Sequence, residues 1–259
     1  MRIVVLVKQV PDTWGERRLN PSTGRVDRAA SDPVIDEVGE RALEAALAHK
    51  DSHDAEVVVM TMGPKGATEI LRKGLAMGAD SAVHVADDGL AGADLVRTAE
   101  VLAAAIRRTG FDLVIAGNES TDGRGGVVPA MIAEHLGVAH ATHLNSVEIM
   151  DGEVRGERNT EVGTSDLRAA LPAVISVTER APEARFPNFR GIMKAKKKPL
   201  EVLTLADLGA EVLAGQGANP RSIVLSAAER PARTAGKKIV DDGNAGKELA
   251  EFLAAAHLI

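Results

Sequence analysis

The chain has 259 residues, of which 45% are hydrophobic and 26% are charged, and its formal net charge is −6. These proportions are typical of a globular protein with a large core, and the acidic balance argues against nucleic-acid binding. The lack of cysteine excludes disulfides, thiolate catalysis and cysteine-ligated metals. Aromatic residues make up only 2% of the chain, so stacking between aromatic rings is disfavoured as the main binding device. Neither a basic leader nor a charge-free apolar segment of membrane length occurs, so we expect a cytoplasmic protein without direct membrane insertion.

The first half of the chain alternates apolar strands with amphipathic helices. The pattern predicts strands at residues 3–7, 56–62, 82–85 and 113–116, and helices at residues 36–50, 63–75, 93–108 and 130–136. Strands that are apolar throughout are typical of a parallel sheet covered by helices on both faces. We therefore predict an α/β fold with a doubly wound, mostly parallel, Rossmann-like sheet of the adenine-nucleotide-binding type. Ligands of such sheets bind at the carboxyl ends of the strands, where residues 8–13, 62–64, 84–92 and 117–128 would converge.

The pattern changes after residue 140. Asp151-Gly152 separates two short alternating segments, which is typical of a β-hairpin. Further strands are predicted at residues 167–170 and 173–177, and we expect these segments to extend the sheet with antiparallel pairs. Residues 209–246 are rich in Gly and Pro, and an amphipathic helix is predicted at residues 245–258. We interpret residues 206–259 as an extended C-terminal arm that reaches a partner; the alternative is a tail that folds back on its own domain.

A glycine-rich loop, Ala116–Pro129, follows the fourth strand and precedes the fourth helix. Glycines allow backbone N–H groups to approach an anion, and the helix start adds unpaired N–H groups and a positive dipole end. This arrangement favours a phosphate site, although the spacing matches neither the Walker motif nor Gly-x-Gly-x-x-Gly. The alternative is an ordinary loop whose Asn, Ser, Thr and Asp residues form turns.

The residues suggest neither a catalytic set nor a metal site. The seven histidines do not have the spacing of metal ligands, and the serines lack a Gly-x-Ser-x-Gly context. Glu119 and Asp122 could serve as acid and base, but solvated loop carboxylates are commoner. A nucleotide pocket without a nucleophile, base and oxyanion hole suggests a binding or electron-transfer role.

Several motifs in order resemble the beta subunit of electron-transfer flavoprotein along nearly the whole chain. They are Val7–Thr13, Gly63-Pro64, Leu75–Asp80, Ala116–Gly123, Leu171–Val174 and Ile192–Lys198. The resemblance implies a heterodimer in which an alpha subunit carries the redox-active FAD and this subunit holds an AMP without redox chemistry. It also implies electrons from dehydrogenases, including the acyl-CoA dehydrogenases of fatty acid beta-oxidation, with a quinone oxidoreductase as acceptor. The chain itself would be an electron-carrier subunit and not an enzyme.

The resemblance also implies an AMP pocket within a nucleotide-binding domain at residues 1–205. Its residues would be Leu6, Asp36, Glu37, Val38, Gly39, Met62, Gly117, Asn118, Glu119, Ser120, Thr121, Asp122, Gly123, Arg124, Gly125, Gly126, Val127 and Val128. Asp122 could hold the ribose or the adenine edge, and the backbone of residues 125–128 could bind the phosphate. Asp36-Glu37 replaces the Asn-Pro of better-known members, and an acidic residue suits a ribose hydroxyl better than a phosphate.

Residues 180–199 resemble the family's recognition loop, whose apolar anchor for dehydrogenases falls at Phe189. Ile192 and Met193 would complete a small binding hot spot, unless all three side chains belong to the core. Lys194, Lys196 and Lys197 would steer an acidic partner or form a solvated face. Thr13 falls where the family's beta subunit approaches the FAD of the alpha subunit.

Three other functions remain open from the sequence. The first is an electron-bifurcating flavoprotein subunit with FAD in place of AMP. The second is a standalone adenine-nucleotide-binding module or enzyme on the same fold. The third is a signalling module that exchanges AMP reversibly.

Overall fold

The computed structural model describes residues 1–15, 17–209, 222–228, 230–233, 235–236 and 238–259. The chain forms two compact units, Met1–Ser226 and Ala227–Ile259. Residues 206–209 and 222–226, which the sequence assigned to the arm, belong to the first unit. Residues 210–221 of the predicted arm lie outside the described residues.

The strands of the first unit occur in the following chain order. They are β1 (Arg2–Leu6), β2 (Gln9–Pro11), β3 (Leu19–Asn20), β4 (Arg25–Val26), β5 (Pro33–Ile35), β6 (Glu56–Met62), β7 (Ser81–Val85), β8 (Leu113–Gly117), β9 (Ala139–Leu144), β10 (Ser146–Met150), β11 (Glu153–Thr160), β12 (Gly163–Ala170), β13 (Ala173–Val177) and β14 (Leu200–Leu203). Seven of them form the central sheet in the order β14-β7-β6-β1-β8-β13-β9. Every neighbouring pair in this sheet is parallel.

The helices are α1 (Glu37–Lys50), α2 (Thr68–Met77), α3 (Leu95–Thr109), α4 (Val128–Leu136), α5 (Phe189–Ala195) and, in the second unit, α6 (Ala245–Ala255). Short 3-10 turns occur at Lys65–Ala67, Asp88–Leu90 and Leu205–Leu208. The predicted helix at 245–258 therefore ends three residues early, at Ala255. Among the described residues, helices of a length and apolarity suited to crossing a membrane do not occur.

Two apolar cores lie on opposite faces of the central sheet. Val5 of β1 packs with residues of α1 and α2 such as Leu43 and Leu71. The neighbouring Val4 faces the other side, where Ile106 of α3 and Ile132 of α4 complete the second core. Successive strand residues point to opposite faces, so a strand between two cores must be apolar throughout. This arrangement confirms the predicted doubly wound fold.

The strand order reverses at β1. The chain proceeds from β1 outward to β6 and β7, and then returns through α3 to β8 on the other side of β1. In open α/β sheets, ligands bind in the crevice outside the carboxyl ends of the strands at such a reversal.

The prediction that antiparallel strands extend the central sheet is wrong about where these strands lie. The hairpin at Asp151-Gly152 forms, with Gly152 at φ +79, but β10, β11 and β12 build a separate three-stranded antiparallel sheet. The segment at 173–177 instead enters the central sheet as β13, parallel to both β8 and β9. All five of its residues are buried, which is typical of an interior strand covered on both faces.

Candidate functional site

An open cleft of about 1860 Å³ lies at the carboxyl ends of β1, β6 and β8. Small-molecule pockets usually measure about 300–1,000 Å³, so the cleft has room for a nucleotide and for further groups. It occupies the point of strand reversal, where the sequence predicted a convergence of loops. The first unit contains all of its lining residues.

The structure brings most of the predicted pocket residues to this cleft. Those that line it are Leu6, Asp36, Gly39, Met62, Gly117, Asn118, Glu119, Ser120, Gly123, Gly125, Gly126 and Val128. Outside the lining are Glu37, Val38, Thr121, Asp122, Arg124 and Val127. Glu37 is exposed and pairs with Arg41 at 3.4 Å.

Asp36 joins the start of α1 to the glycine-rich loop. Its side chain is buried, and Oδ1 accepts the N–H of Val38 at 3.2 Å, which caps the helix. The other oxygen, Oδ2, accepts both the N–H and the hydroxyl of Thr121, at 2.7 and 3.0 Å. The carboxylate thus fixes the loop against the helix, and its lone pairs are largely engaged within the protein.

Asp122 is the centre of an ion-pair cluster. Lys8 Nζ lies 2.7 Å from Oδ1, and the guanidinium of Arg28 donates to Oδ2 from Nε at 2.9 Å and from Nη2 at 2.7 Å. The Asp122 side chain is 0% exposed. Burial alone would raise the pKa of its carboxyl, but hydrogen bonding and charge from Lys8, with support from Ser120 and Arg28, lower that pKa to about 2. The group is an ionised carboxylate at neutral pH, and both oxygens bind cations of this chain instead of facing the cleft.

Three α-helices begin beside the cleft, and they differ in their capping. α1 is capped by Asp36, and α3 is capped by Asp94, whose carboxylate accepts the N–H of Arg97 at 2.9 Å. α4 begins after Val127 without a side-chain cap. Within the described part of the chain, the N–H groups of residues 125–127 have no hydrogen-bond acceptor. Such groups, at the positive end of a helix dipole, are suited to an anion.

Gly117 allows α1 and β8 to meet at the base of the cleft. A Cβ on Gly117 would lie 3.2 Å from the backbone carbon of Val38 and 3.1 Å from its Cγ1. Gly126 has a different requirement, because its φ of +67 is a conformation that L side chains rarely adopt. Gly117 and Gly126 therefore serve the packing of α1 on β8 and the geometry of the loop, and the predicted approach of glycine N–H groups to an anion stays a prediction.

Sequence reasoning missed several charged residues of the cleft. Lys8, Arg25 and Arg28 all line it, although none was named as a site residue. Lys8 lies two residues after the end of β1, within the segment 8–13 that was predicted to reach the pocket, but its pairing with Asp122 was not predicted. Arg28 lies in a polar segment without a motif, and its pairing with Asp122 spans 94 residues of sequence.

The described residues contain no group of three or more His, Asp or Glu side chains placed to hold a metal ion. The buried His84 is satisfied by the protein itself, with Nε2 at 3.1 Å from the carbonyl of Gly63 and Nδ1 at 3.1 Å from the Thr68 hydroxyl. Because a carbonyl can only accept, Nε2 carries the proton. His84 thus has a structural explanation.

The predicted recognition residues are exposed and lie away from the cleft. Phe189, Ile192 and Met193 of α5 are 78, 46 and 51% exposed, so the alternative that all three belong to the core is wrong. Lys194, Lys196 and Lys197 are also exposed. In sequence, these lysines follow the exposed apolar residues of α5.

Two sets of contacts hold this segment in place. Gly191 packs so closely on α2 that a Cβ there would lie 2.2 Å from the carbonyl oxygen of Ala76. Arg185 donates to Glu44 at 2.8 Å and to Asp51 at 2.8 Å, which ties the segment to α1. The hydrogen bond from Arg185 is the main cause of a lowered pKa of the Asp51 carboxyl.

Thr13 is exposed in the turn after β2. Its neighbours Asp12 and Trp14 line the cleft, whereas Thr13 does not. The predicted proximity of Thr13 to a flavin of the alpha subunit stays a prediction.

Comparison with known proteins identifies the family. Residues 23–208 match the family model described as electron transfer flavoprotein domain. The chain belongs to the electron transfer flavoprotein family. It is 51% identical to the electron transfer flavoprotein subunit beta of Mycobacterium leprae and to that of Mycobacterium tuberculosis, over 99% of each chain. The predicted resemblance to the beta subunit is thereby confirmed.

A further relative is the caffeyl-CoA reductase-Etf complex subunit CarD of Acetobacterium woodii. It is 36% identical over 242 residues, which cover 92% of each chain. Membership in the family supports a role in electron transfer, a flavin in the assembled complex and an alpha subunit as partner.

Proposed function

We propose that this chain is the beta subunit of a heterodimeric electron-transfer flavoprotein and binds one AMP in the cleft at the β1–β8 reversal. The observation that carries the proposal is the uncapped start of α4, with its free N–H groups at residues 125–127, in a cleft that meets the end of β1. The phosphate would bind these N–H groups. The ribose and adenine would lie toward Leu6, Gly39 and Met62, which line the same cleft.

The AMP has a structural role in this proposal, and the redox-active FAD belongs to the alpha subunit. The residues of this chain bind and orient the nucleotide and exclude water from it, and none is assigned a catalytic step. Dehydrogenases, including acyl-CoA dehydrogenases, would supply the electrons, and a quinone oxidoreductase would accept them. The site of action would be the cytoplasm.

A second candidate is FAD in place of AMP in this subunit, as in an electron-bifurcating complex. Two observations support this second candidate. The cleft volume of about 1860 Å³ exceeds what a mononucleotide needs, and one relative, at 36% identity, is named as a subunit of a reductase-Etf complex.

Nucleotide analysis distinguishes these candidates. The chain is co-expressed with its alpha subunit, the purified complex is denatured, and the released nucleotides are quantified by chromatography. One AMP and one FAD per heterodimer would support the proposal, and two FAD without AMP would replace it with the second candidate. A chain that neither assembles nor carries a nucleotide would contradict both, and ATP turnover by the isolated chain would point to a standalone enzyme.

We further propose that α5 docks the dehydrogenase through Phe189. The support is the exposure of Phe189 at 78% beside the half-exposed Ile192 and Met193. Buried aromatic anchors of interfaces contribute about 2 kcal/mol or more, which corresponds to about 30-fold in affinity. Phe189→Ala should therefore weaken dehydrogenase-linked reduction by about that factor and leave nucleotide content unchanged.

A matched control is available three residues upstream. Phe186 is 93% exposed and lies outside α5, so Phe186→Ala removes the same side chain without altering the helix. A reduced rate in Phe189→Ala alone would support docking at α5. Equal rates in both variants and the wild type would contradict it.

A further inference from the structure

Residues 12–32 connect β2 to β5, which together form a small two-stranded sheet. The two strands pair antiparallel at the base, with Gln9 opposite Ile35 and Pro11 opposite Pro33. The N–H of Asp12 then donates to the carbonyl of Asp32 at 2.9 Å. The described residues of this connection are 12–15 and 17–32, and they contain the small hairpin β3–β4. We call these described residues the strap.

The strap is attached to the glycine-rich loop on one side of the cleft. Arg28 binds Oδ2 of Asp122 through two N–H groups, at 2.9 and 2.7 Å. Arg17 donates to the carbonyl of Thr121. Both attachments reach the same short segment of the loop, next to the free N–H groups at the start of α4.

The strap is attached on the opposite side of the cleft as well. The guanidinium of Arg25 lies over Gly92, where a Cβ would come within 2.1 Å of Nη2. Val224 packs against Gly24, with 2.4 Å between its Cγ1 and the place a Cβ would take. Because Arg25, Arg28, Gly92 and Val224 all line the cleft, the strap extends across it from one wall to the other.

Asp122 connects the strap to the sheet. The same carboxylate that binds Arg28 also binds Lys8, which lies two residues after the end of β1, at 2.7 Å. Its side chain is fully covered while those of Lys8 and Arg28 remain 42 and 51% exposed. Without this shared anion, Lys8 and Arg28 would face each other as like charges, and of its two attachments to the loop described above the strap would keep only the hydrogen bond from Arg17.

We propose that the strap encloses the nucleotide and that the Arg28–Asp122 ion pair controls how fast the nucleotide leaves. Asp122 is then a positioning residue that acts through the strap and does not touch the ligand. The inference rests on the proposed nucleotide site. It explains how an open cleft could retain a ligand through purification, since release would require the strap to detach.

The test is a release experiment on the heterodimer. The complex is loaded with radiolabelled AMP, an excess of unlabelled AMP is added, and loss of label is followed over time. We expect Arg28→Gln and Asp122→Asn to release AMP at least tenfold faster than the wild type. Arg28→Gln is decisive if Asp122→Asn does not fold, because Arg28 is half-exposed and the loop keeps its Lys8–Asp122 pair.

Asp80→Asn is the matched control. Asp80 pairs with Lys50 and accepts the N–H of Val57 at 2.8 Å, so this variant also loses an ion pair, but outside the cleft. A second readout is trypsin cleavage after Arg25, a site that both strap variants keep; it should accelerate in Arg28→Gln and Asp122→Asn and not in Asp80→Asn. A general loss of stability would instead accelerate both AMP release and trypsin cleavage in all three variants.

The outcomes separate this inference from the proposed function. A wild-type heterodimer that holds no AMP would overturn the proposed function and the strap with it. A wild type that holds AMP, together with a folded Arg28→Gln variant that releases it at the wild-type rate, would overturn the strap alone. Faster release confined to the two strap variants would support it.

Discussion

Replacement of Gly191 by alanine tests whether α2 determines the position of α5, the helix that carries Phe189. A Cβ at this position would lie 2.2 Å from the carbonyl oxygen of Ala76, whereas relaxed carbon–oxygen contacts begin at about 3.3 Å. Relief of the clash requires α5 to move by about 1 Å. The Ala76 carbonyl belongs to the backbone of α2 and cannot rotate away. The free-energy cost of the clash is therefore a loss of packing between α2 and α5.

The size of the effect follows from this clash. Overpacking of a close contact costs about 1–3 kcal/mol, and a loss of about 2 kcal/mol lowers the melting temperature of a domain of this size by about 4–8 °C. The displaced helix carries Phe189, so dehydrogenase-linked reduction should slow in the same variant. Thermal unfolding and stopped-flow reduction of the heterodimer measure the two effects.

Gly66→Ala is the control for Gly191→Ala. Gly66 has no other atom within 4 Å of the place a Cβ would take, so alanine there should leave the melting temperature within about 1 °C. The reasoning is refuted if Gly191→Ala melts like Gly66→Ala and reduces at the wild-type rate. The contact with α2 would then not determine where α5 lies.

Three further predictions concern stability and are measured by urea unfolding. The pKa of the Asp122 carboxyl is lowered from 3.8 to about 2, so the stabilisation from its ion pairs is complete above pH ~4 and is lost as the pH falls through about 2. The stability advantage of the wild type over Asp122→Asn should shrink over that range, and a constant difference would contradict the assignment. Asp36→Ala should lose about 2 kcal/mol, since the helix cap and the acceptor for Thr121 both disappear, while Glu37→Ala at the exposed neighbour should change stability by less than about 0.5 kcal/mol. Lys198→Met should lose about 1–2 kcal/mol, because the ammonium group donates to two carbonyls in and just after the last turn of α2; an unchanged midpoint would argue against that contact.

Local patterns were sufficient to predict most elements of the fold. The apolar runs at β1, β6 and β8 are bounded by turn residues, and each strand must be apolar because a core lies on either side of it. The Asp151-Gly152 turn likewise carries its own signal, since glycine readily adopts the required positive φ. Such features depend on a few neighbouring residues and are readable without the tertiary structure.

The missed features depend on residues far apart in sequence. The parallel placement of β13 is decided by its partners β8 and β9, and its five residues alone do not distinguish it from an antiparallel strand. Lys8 and Asp122 are 114 positions apart, and Asp36 and Thr121 are 85 apart. The residue types at the cleft were predictable, but the pairing of Asp122 with cations of the chain and of Asp36 with Thr121 was not.

The capping pattern bears on which nucleotide the proposed site would hold. Helix starts attract anions, and at this cleft the carboxylates of Asp36 and Asp94 already serve that purpose for α1 and α3. Among these three helices, only α4 lacks such a carboxylate within the described chain. One free helix start matches one phosphate group better than the two of a dinucleotide, because the second phosphate would approach a helix end already neutralised by the protein. The electrostatics thus favour AMP, whereas the volume of the cleft would admit FAD. The nucleotide content of the heterodimer tests whether charge or volume decides which nucleotide binds.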